Sequence, residues 1–155
     1  MPEGLSAVFE FGVQCAKGGL PRDMNRPKTV KFNLGTVTRE LAYTRVVLEH
    51  SESHDLDDAK SLMKAIRSVA SRTDPVPLLT DVRATSVGPS SEARRFYDDP
   101  ENAGYATCSA LLCASAYQKI LGNFAFMFTA HDFPRRIFTE EAAALEWLAE
   151  NHRSQ

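Results

Sequence analysis

Two adjacent serines, Ser90 and Ser91, open a charged amphipathic segment that contains Arg94. A phosphate on a serine at a helix N-terminus would meet free backbone N–H groups and the positive end of the helix dipole, and a nearby arginine could bind it. A serine in this position can also act simply as the helix cap, which needs no modification. The pattern therefore predicts a helix start at these serines and leaves a phosphorylation switch as a second hypothesis.

An aspartate and an arginine, Asp81 and Arg83, lie at the end of a short apolar run that begins at Val76. Open α/β sheets place their ligands beyond the carboxyl ends of the strands, so this pair could bind an anion or a nucleotide there. The pair could instead form a salt bridge that orders the loop, which is the simpler interpretation. Under both interpretations, residues 81–95 are the surface where we expect binding.

The other reactive residues do not combine into a catalytic site. His50 and His54 are four residues apart, but two histidines at this spacing meet only on a helix, and their segment has the composition of a solvated loop. The sequence contains neither a nucleophile elbow nor a glycine-rich phosphate-binding loop. We therefore predict that the protein is not an enzyme and uses neither a metal ion nor a cofactor.

Aromatic and aliphatic residues are abundant between residues 121 and 128. Ordinary core packing explains this composition, but an apolar ligand pocket would have the same composition. The alternative function is therefore a carrier or sensor of a small apolar ligand. Its predicted pocket would be formed by Leu121, Phe124 and Phe128.

The overall composition limits the class of protein. The chain has 155 residues, of which 43% are hydrophobic and 25% are charged, and its net charge is −2. This charge argues against a dedicated nucleic-acid binder, which normally carries a basic stripe. Three cysteines without metal or disulfide spacing fit a reducing cytoplasm. The apolar clusters are too short to span a bilayer, so we expect no integral membrane segment.

Hydrophobic periodicity predicts the elements that position these residues. Residues 28–34 alternate as a half-buried strand, and residues 44–48 are a β-branched run typical of a central strand. Asp55 and Asp58 form a capping box ahead of an apolar helical stripe. The complete predicted order is β-β-β-α-β-α-β-α-β-α, which indicates an α/β fold with a mixed β-sheet and crossover helices.

The later segments carry less regular signals. Residues 90–103 have helical spacing, but Pro100 divides them, so two short helices are an alternative to one. Residues 135–138 read as a short edge strand. Thr139 is the predicted cap of the last helix.

The first 27 residues differ from the rest of the chain. We predict a poorly ordered extension over residues 1–27 and the α/β domain over residues 28–151. The alternative for the extension is an ordered helix that packs on the domain. Exposed sheet edges make a homodimer a further expectation.

The order of the elements and several short motifs resemble the bacterial STAS domain family, typified by the antagonist SpoIIAA, and most of all its uncharacterised STAS/SEC14-type branch. The motifs that carry the resemblance are DDAK at 57–60, PLLTDVR at 77–83, SEAR at 91–94, GNF at 122–124 and FPRRIFT at 133–139, followed by ALEWL at 144–148. The resemblance implies a SpoIIAA-like fold. It also implies a non-enzymatic cytoplasmic signalling module that binds a protein partner.

Antagonists of the SpoIIAA type carry an aspartate at the end of the strand before the switch, followed by an Asp-Ser-Ser-Gly motif of which one serine is phosphorylated by a partner kinase. Asp81 matches the first position, and Ser90 and Ser91 lie at the matching distance. Pro89 and Glu92 stand where the family has an acidic residue and a glycine. The resemblance implies a partner-binding or switch surface made of Asp81, Arg83, Ser90, Ser91 and Arg94.

Overall fold

The structure is a computed structural model, and it describes residues 28–116, 118 and 134–153, which contain a six-stranded sheet with helices on both of its faces. The strands are β1 (Lys28–Phe32), β2 (Gly35–Arg39), β3 (Thr44–Leu48), β4 (Val76–Asp81), β5 (Ala106–Leu112) and β6 (Arg135–Phe138). The helices are α1 (Leu56–Val69), α2 (Ser91–Tyr97), α3 (Pro100–Ala103) and α4 (Glu141–Arg153). The predicted extension over residues 1–27 lies outside the described residues.

The strands lie in the sheet in the order in which they occur in the chain. β1, β2 and β3 are antiparallel neighbours, whereas β3 to β6 run parallel. Parallel neighbours require crossover connections, which α1 supplies between β3 and β4, and α2 and α3 supply between β4 and β5. The predicted mixed sheet with crossover helices is confirmed.

α1 begins where the sequence predicts it. The side chain of Asp55 accepts hydrogen bonds from the backbone N–H groups of Asp57 and Asp58 at 2.9 and 3.0 Å, and the Asp58 carboxylate accepts one from the Asp55 backbone N–H at 3.0 Å. This reciprocal pairing is the predicted capping box. It fixes the start of the helix that forms one wall of the site described below.

A first core lies between α1 and the sheet. Leu62, Met63 and Ile66 of α1 pack in one cluster with Val37 of β2 and Val46 of β3. Fully burying an aliphatic side chain of this size contributes about 1.5–3 kcal/mol. The spacing of the three α1 residues is the helical stripe that the sequence shows, so this contact follows directly from the periodicity.

A second core lies on the opposite face, because successive residues of a strand point to opposite sides of a sheet. Leu79 of β4 and Leu112 of β5 pack there with Phe138 and with Ala144 and Leu148 of α4. α4 contacts β4, β5 and β6. The parallel half of the sheet therefore has apolar residues on both faces, as expected for strands that helices cover on either side.

The turn between β1 and β2 requires a glycine. Gly35 has a φ of +157°, and a Cβ atom on this residue would lie 1.9 Å from the backbone oxygen of Val47. No side chain fits at that distance. The hairpin therefore closes tightly against β3 only because residue 35 lacks a side chain.

Two details of the later elements refine the sequence predictions. Residues 90–103 form two short helices, α2 and α3, rather than one. Pro100 is the first residue of α3, a position where the backbone N–H has no partner within the helix, so its absence costs no hydrogen bond. α4 begins at Glu141, and the Ala144 N–H donates to the Glu140 carbonyl at 3.2 Å. The predicted cap at Thr139 is therefore wrong by one residue.

Within the described ranges, none of the helices has the length and apolar character needed to cross a membrane.

Candidate functional site

Asp81 and Arg83 form a close ion pair at the end of β4. The Arg83 guanidinium donates to both carboxylate oxygens of Asp81, from Nε at 3.0 Å and from Nη2 at 2.7 Å, and the Arg83 backbone N–H donates at 3.1 Å. Burial alone would raise the pKa of Asp81, but the hydrogen bonds from Arg83 hold it below its usual value. Asp81 is 7% exposed and its oxygens are occupied, which is the geometry of the loop-ordering interpretation.

A carboxylate on α4 extends this pair into a four-residue network. Glu141 accepts a hydrogen bond from Arg45 of β3 and another from Arg83 Nη2 at 3.3 Å. The hydrogen bond from Arg45 is the main reason why the pKa of Glu141 lies below its ordinary value and that of Arg45 above it. The network joins two strands to the first turn of α4, and sequence reasoning missed it because Arg45 and Glu141 are 96 residues apart.

The two serines occupy different positions at the start of α2. Ser90 is the N-cap, and its side chain accepts a hydrogen bond from the Ala93 N–H at 3.1 Å. Ser91 is the first helical residue, and its side chain is exposed. The capping function predicted for this pair is present at Ser90, and phosphorylation of either serine stays a prediction.

The loop between β4 and α2 is held by hydrogen bonds along its length. The Thr85 N–H donates to the Val82 carbonyl at 3.1 Å, and the Thr85 carbonyl accepts from Gln118 Nε2 at 2.8 Å. At the far end, the Ser90 N–H donates to the His54 carbonyl at 2.9 Å. These hydrogen bonds therefore hold the loop in one ordered conformation.

His54 lies in a loop, as the sequence predicts, but it is buried, so the predicted exposure to solvent is wrong for this residue. Its side chain is 6% exposed, and its Nε2 atom lies 2.7 Å from the Tyr97 hydroxyl. Burial lowers the pKa of His54, while the negative charges of Asp58 and Asp55 oppose this change. The sequence carries one signal for this burial. His54 directly precedes Asp55, the N-cap of α1, and the residue before an N-cap is often packed against the helix.

A cavity of about 360 Å³ lies on the α1 side of the sheet, beneath this loop. Its lining combines Val46, Leu78 and Leu111 from three neighbouring strands, Leu62 from α1, and loop residues 85–89. The loop thus has an outer side that faces solvent and an inner side that faces the cavity.

Thr44 Oγ1 and Arg94 Nε are buried polar atoms in the wall of the cavity, and neither has a hydrogen-bond partner among the described residues. Arg135 and Asp98 also line the cavity. Burial lowers the pKa of Arg135, and the charge of Asp98 opposes this change. The mainly apolar cavity therefore has three charged side chains, Arg94, Asp98 and Arg135, among its described lining residues.

The described residues do not test the pocket that the sequence predicts. Leu121, Phe124 and Phe128 lie outside the described residues, so that pocket stays a prediction. The cavity that the structure contains is built from the sheet, α1, α2 and the loop after β4. Sequence periodicity could not indicate it, because the spacing of apolar residues is the same in a filled core and around a cavity.

The part of the chain that the structure describes was predicted to contain neither a metal site nor a reactive thiol, and its His, Cys, Asp and Glu side chains can be compared with that prediction. No group of three or more His, Cys, Asp or Glu side chains is placed there to hold a metal ion. Cys108 and Cys113 are buried and form no disulfide, and burial raises the pKa of the Cys108 thiol. Cys108 packs in the second core, which is the environment of a small core residue rather than of a reactive thiol. Cys113 lines the cavity.

A family model described as a domain of unknown function, DUF7793, matches residues 44–152. The chain belongs to the DUF7793 family. The matched range of this DUF7793 domain begins at the first residue of β3 and ends in the last turn of α4. It therefore contains the ion-pair network, the loop after β4 and the residues that line the cavity.

A solved structure supports the fold of the DUF7793 domain. It is an uncharacterised protein of the DUF3478 family with a SpoIIAA-like fold from Shewanella loihica PV-4, and it shares 17% sequence identity with this chain. The alignment covers 84% of this chain and 99% of the other, with a TM-score of 0.54. The fold is thus the STAS-like α/β fold that the sequence motifs indicate. No curated protein matches the chain.

Proposed function

We propose that this DUF7793 domain is a non-enzymatic cytoplasmic regulatory module of the STAS type, and that it binds a protein partner through residues 81–95. The observation that carries the proposal is the ordered loop after β4. The Asp81–Arg83 pair holds one end of this loop, and the bond between Ser90 and His54 holds the other. A surface that is already ordered loses little conformational entropy when a partner binds.

The side chains of this surface suit recognition by a charged and polar partner. Ser86, Ser91, Glu92 and Arg95 are exposed, and Arg83 reaches solvent with 44% of its side chain. Charges at the rim of an interface set the rate of association and the choice of partner more than the affinity. We therefore expect selective binding rather than burial of a large apolar patch.

The first test is affinity capture with the full-length chain as bait, comparing Arg95→Glu with Lys64→Glu. Both positions are exposed on helices and both changes reverse one charge, but only Arg95 belongs to the proposed surface. We expect the partner of the wild-type chain to bind Arg95→Glu at least ten times more weakly and Lys64→Glu unchanged. Equal retention by both variants, or no partner for the wild-type chain, would contradict the proposal.

Mass spectrometry of the native protein tests the switch separately. A phosphate on Ser91 would leave the Ser90 cap in place, whereas a phosphate on Ser90 would replace the hydroxyl that caps α2. A chain that stays unmodified under all growth conditions, and after incubation with candidate serine kinases, would exclude the switch but not the partner surface.

A second candidate function, a carrier or sensor of a small apolar ligand, is supported by the cavity. Its volume of about 360 Å³ lies at the lower end of the usual range for small-molecule sites. Native mass spectrometry after gentle purification should then show a co-purifying ligand. A clean mass of the protein alone in repeated preparations would count against this function.

A further inference from the structure

The unpartnered polar atoms in the cavity wall call for a polar ligand group. Thr44 is 2% exposed, and its hydroxyl has no hydrogen-bond partner in the described part of the chain; the same holds for the Nε atom of Arg94. A buried donor that lacks an acceptor costs free energy, and the cost is greater when the donor belongs to a cation. An acceptor group on a bound ligand would remove this cost.

The charged side chains of the cavity wall indicate which charge the polar group of the ligand carries. Among the described lining residues, Arg94 and Arg135 are cations, Asp98 is an anion, and burial favours the neutral form of His54. The formal charges of these described lining residues therefore sum to +1. A ligand with a single negative charge would neutralise this charge, whereas a doubly charged phosphate would leave an excess negative charge in an apolar site.

We propose that the cavity binds a small amphipathic carboxylate, whose carboxylate lies at Arg94 and whose apolar chain lies between α1 and the sheet. This inference rests on the second candidate function, because it names the class of ligand that a carrier or sensor would hold. Val46, Leu62, Leu78 and Leu111 supply the apolar contacts. The Arg94 guanidinium donates charge-assisted hydrogen bonds to the carboxylate.

The test is calorimetric titration of the full-length chain with decanoate, decanol and decyltrimethylammonium, which share one chain and differ in the charge of the head group. We expect decanoate to bind at least ten times more tightly than decanol, and the ammonium compound to bind most weakly. Equal binding of decanoate and decanol would overturn the assignment of the carboxylate to Arg94.

Two variants separate the head-group interaction from general effects on the fold. Arg94→Gln removes the cation from the cavity wall, while Arg95→Gln makes the same change at the next residue, which is exposed and does not line the cavity. We expect Arg94→Gln to weaken decanoate binding about tenfold and to leave decanol binding unchanged, and we expect Arg95→Gln to change neither. Equal losses in both variants would overturn the inference. Circular dichroism establishes that each variant is folded.

The outcomes also distinguish this inference from the functions on which it depends. Tight binding of decanol without preference for decanoate would overturn the inference and keep an apolar carrier. Binding of none of the three compounds would overturn both. Capture of a protein partner by the loop surface is measured independently of either result.

Discussion

Burial of a titratable ring at His54 makes the stability of the domain depend on pH. The pKa of His54 is lowered from its ordinary value of 6.5, so the folded state binds a proton less readily than the unfolded state. Between the folded pKa and 6.5, the unfolded chain therefore carries more protons, and stability falls as the pH decreases through this range. We expect urea unfolding midpoints to fall between pH 7 and pH 5, and to fall less for His54→Gln.

His50 provides the control for this measurement. It is exposed in the same loop, and His50→Gln should leave the pH dependence of the wild-type protein unchanged. An identical pH dependence for His54→Gln and the wild-type protein would contradict the contribution assigned to His54.

Gly35 and Gly88 form a matched pair for a second test at the residue scale. A Cβ atom at Gly35 would collide with the Val47 carbonyl in a backbone conformation that other residues rarely adopt, whereas a Cβ atom at Gly88 would meet nothing within 4 Å. We expect Gly35→Ala to lower the free energy of unfolding by about 3 kcal/mol, and Gly88→Ala to change it by less than about 0.5 kcal/mol. Similar unfolding midpoints for the two variants would show that the hairpin relaxes around the added methyl group.

At the scale of elements, Glu141 joins the start of α4 to β3 and to the loop after β4. Glu141→Gln removes the charge that Arg45 and Arg83 share, and we expect a loss of about 1 kcal/mol, because the side chain of Glu141 is 35% exposed and solvent screens the pair. Glu146→Gln makes the same change at an exposed position of α4 and should cost less than about 0.5 kcal/mol.

Salt and pH dependence make the Glu141 prediction specific. The pKa of Glu141 is lowered from 4.5, so its contribution is present above pH 4.5 and is lost as the pH falls through the folded pKa. Added salt should reduce the difference between wild type and Glu141→Gln. A difference that does not change with salt would point to packing rather than to charge.

The elements that the sequence predicts well are those whose signals are local. The capping box at Asp55 and the stripe that contains Leu62 and Ile66 involve residues within a few turns of one another, so α1 is predictable in both its start and its buried face. The Arg45–Glu141 pair and the burial of His54 depend on elements far apart in sequence. No periodicity carries that information, because it arises only when the sheet brings those elements together.

At the scale of the whole molecule, the alternation of elements predicts the fold, and the site is only partly predictable. The mixed sheet follows from three strands in succession followed by strands alternating with helices. The position of the loop after β4 follows as well, since the carboxyl end of a parallel strand is a common site of function. The cavity does not follow, because its volume is a small difference between the space enclosed by the elements and the side chains that fill it.

The exposed edge of the sheet bears on self-association, which stays a prediction. β1 is an edge strand, and two of its five residues, Lys28 and Lys31, are exposed lysines. Lysines on an edge strand oppose pairing with a second sheet. A homodimer formed through this edge would have to bring these charges together, so β1 is a poor candidate for such a contact.

The order of the strands also has a consequence for how the chain folds. Every pair of hydrogen-bonded neighbours in the sheet is also a pair of successive strands in the chain. Each new strand can therefore join the edge left by the one before it, and no strand has to be inserted between two that are already paired. A sheet built in this way keeps the sequence separation of its contacts short for a mixed sheet, which favours rapid folding. The same order lets a nascent chain extend the sheet strand by strand during synthesis, beginning with the β1–β2 hairpin that Gly35 closes.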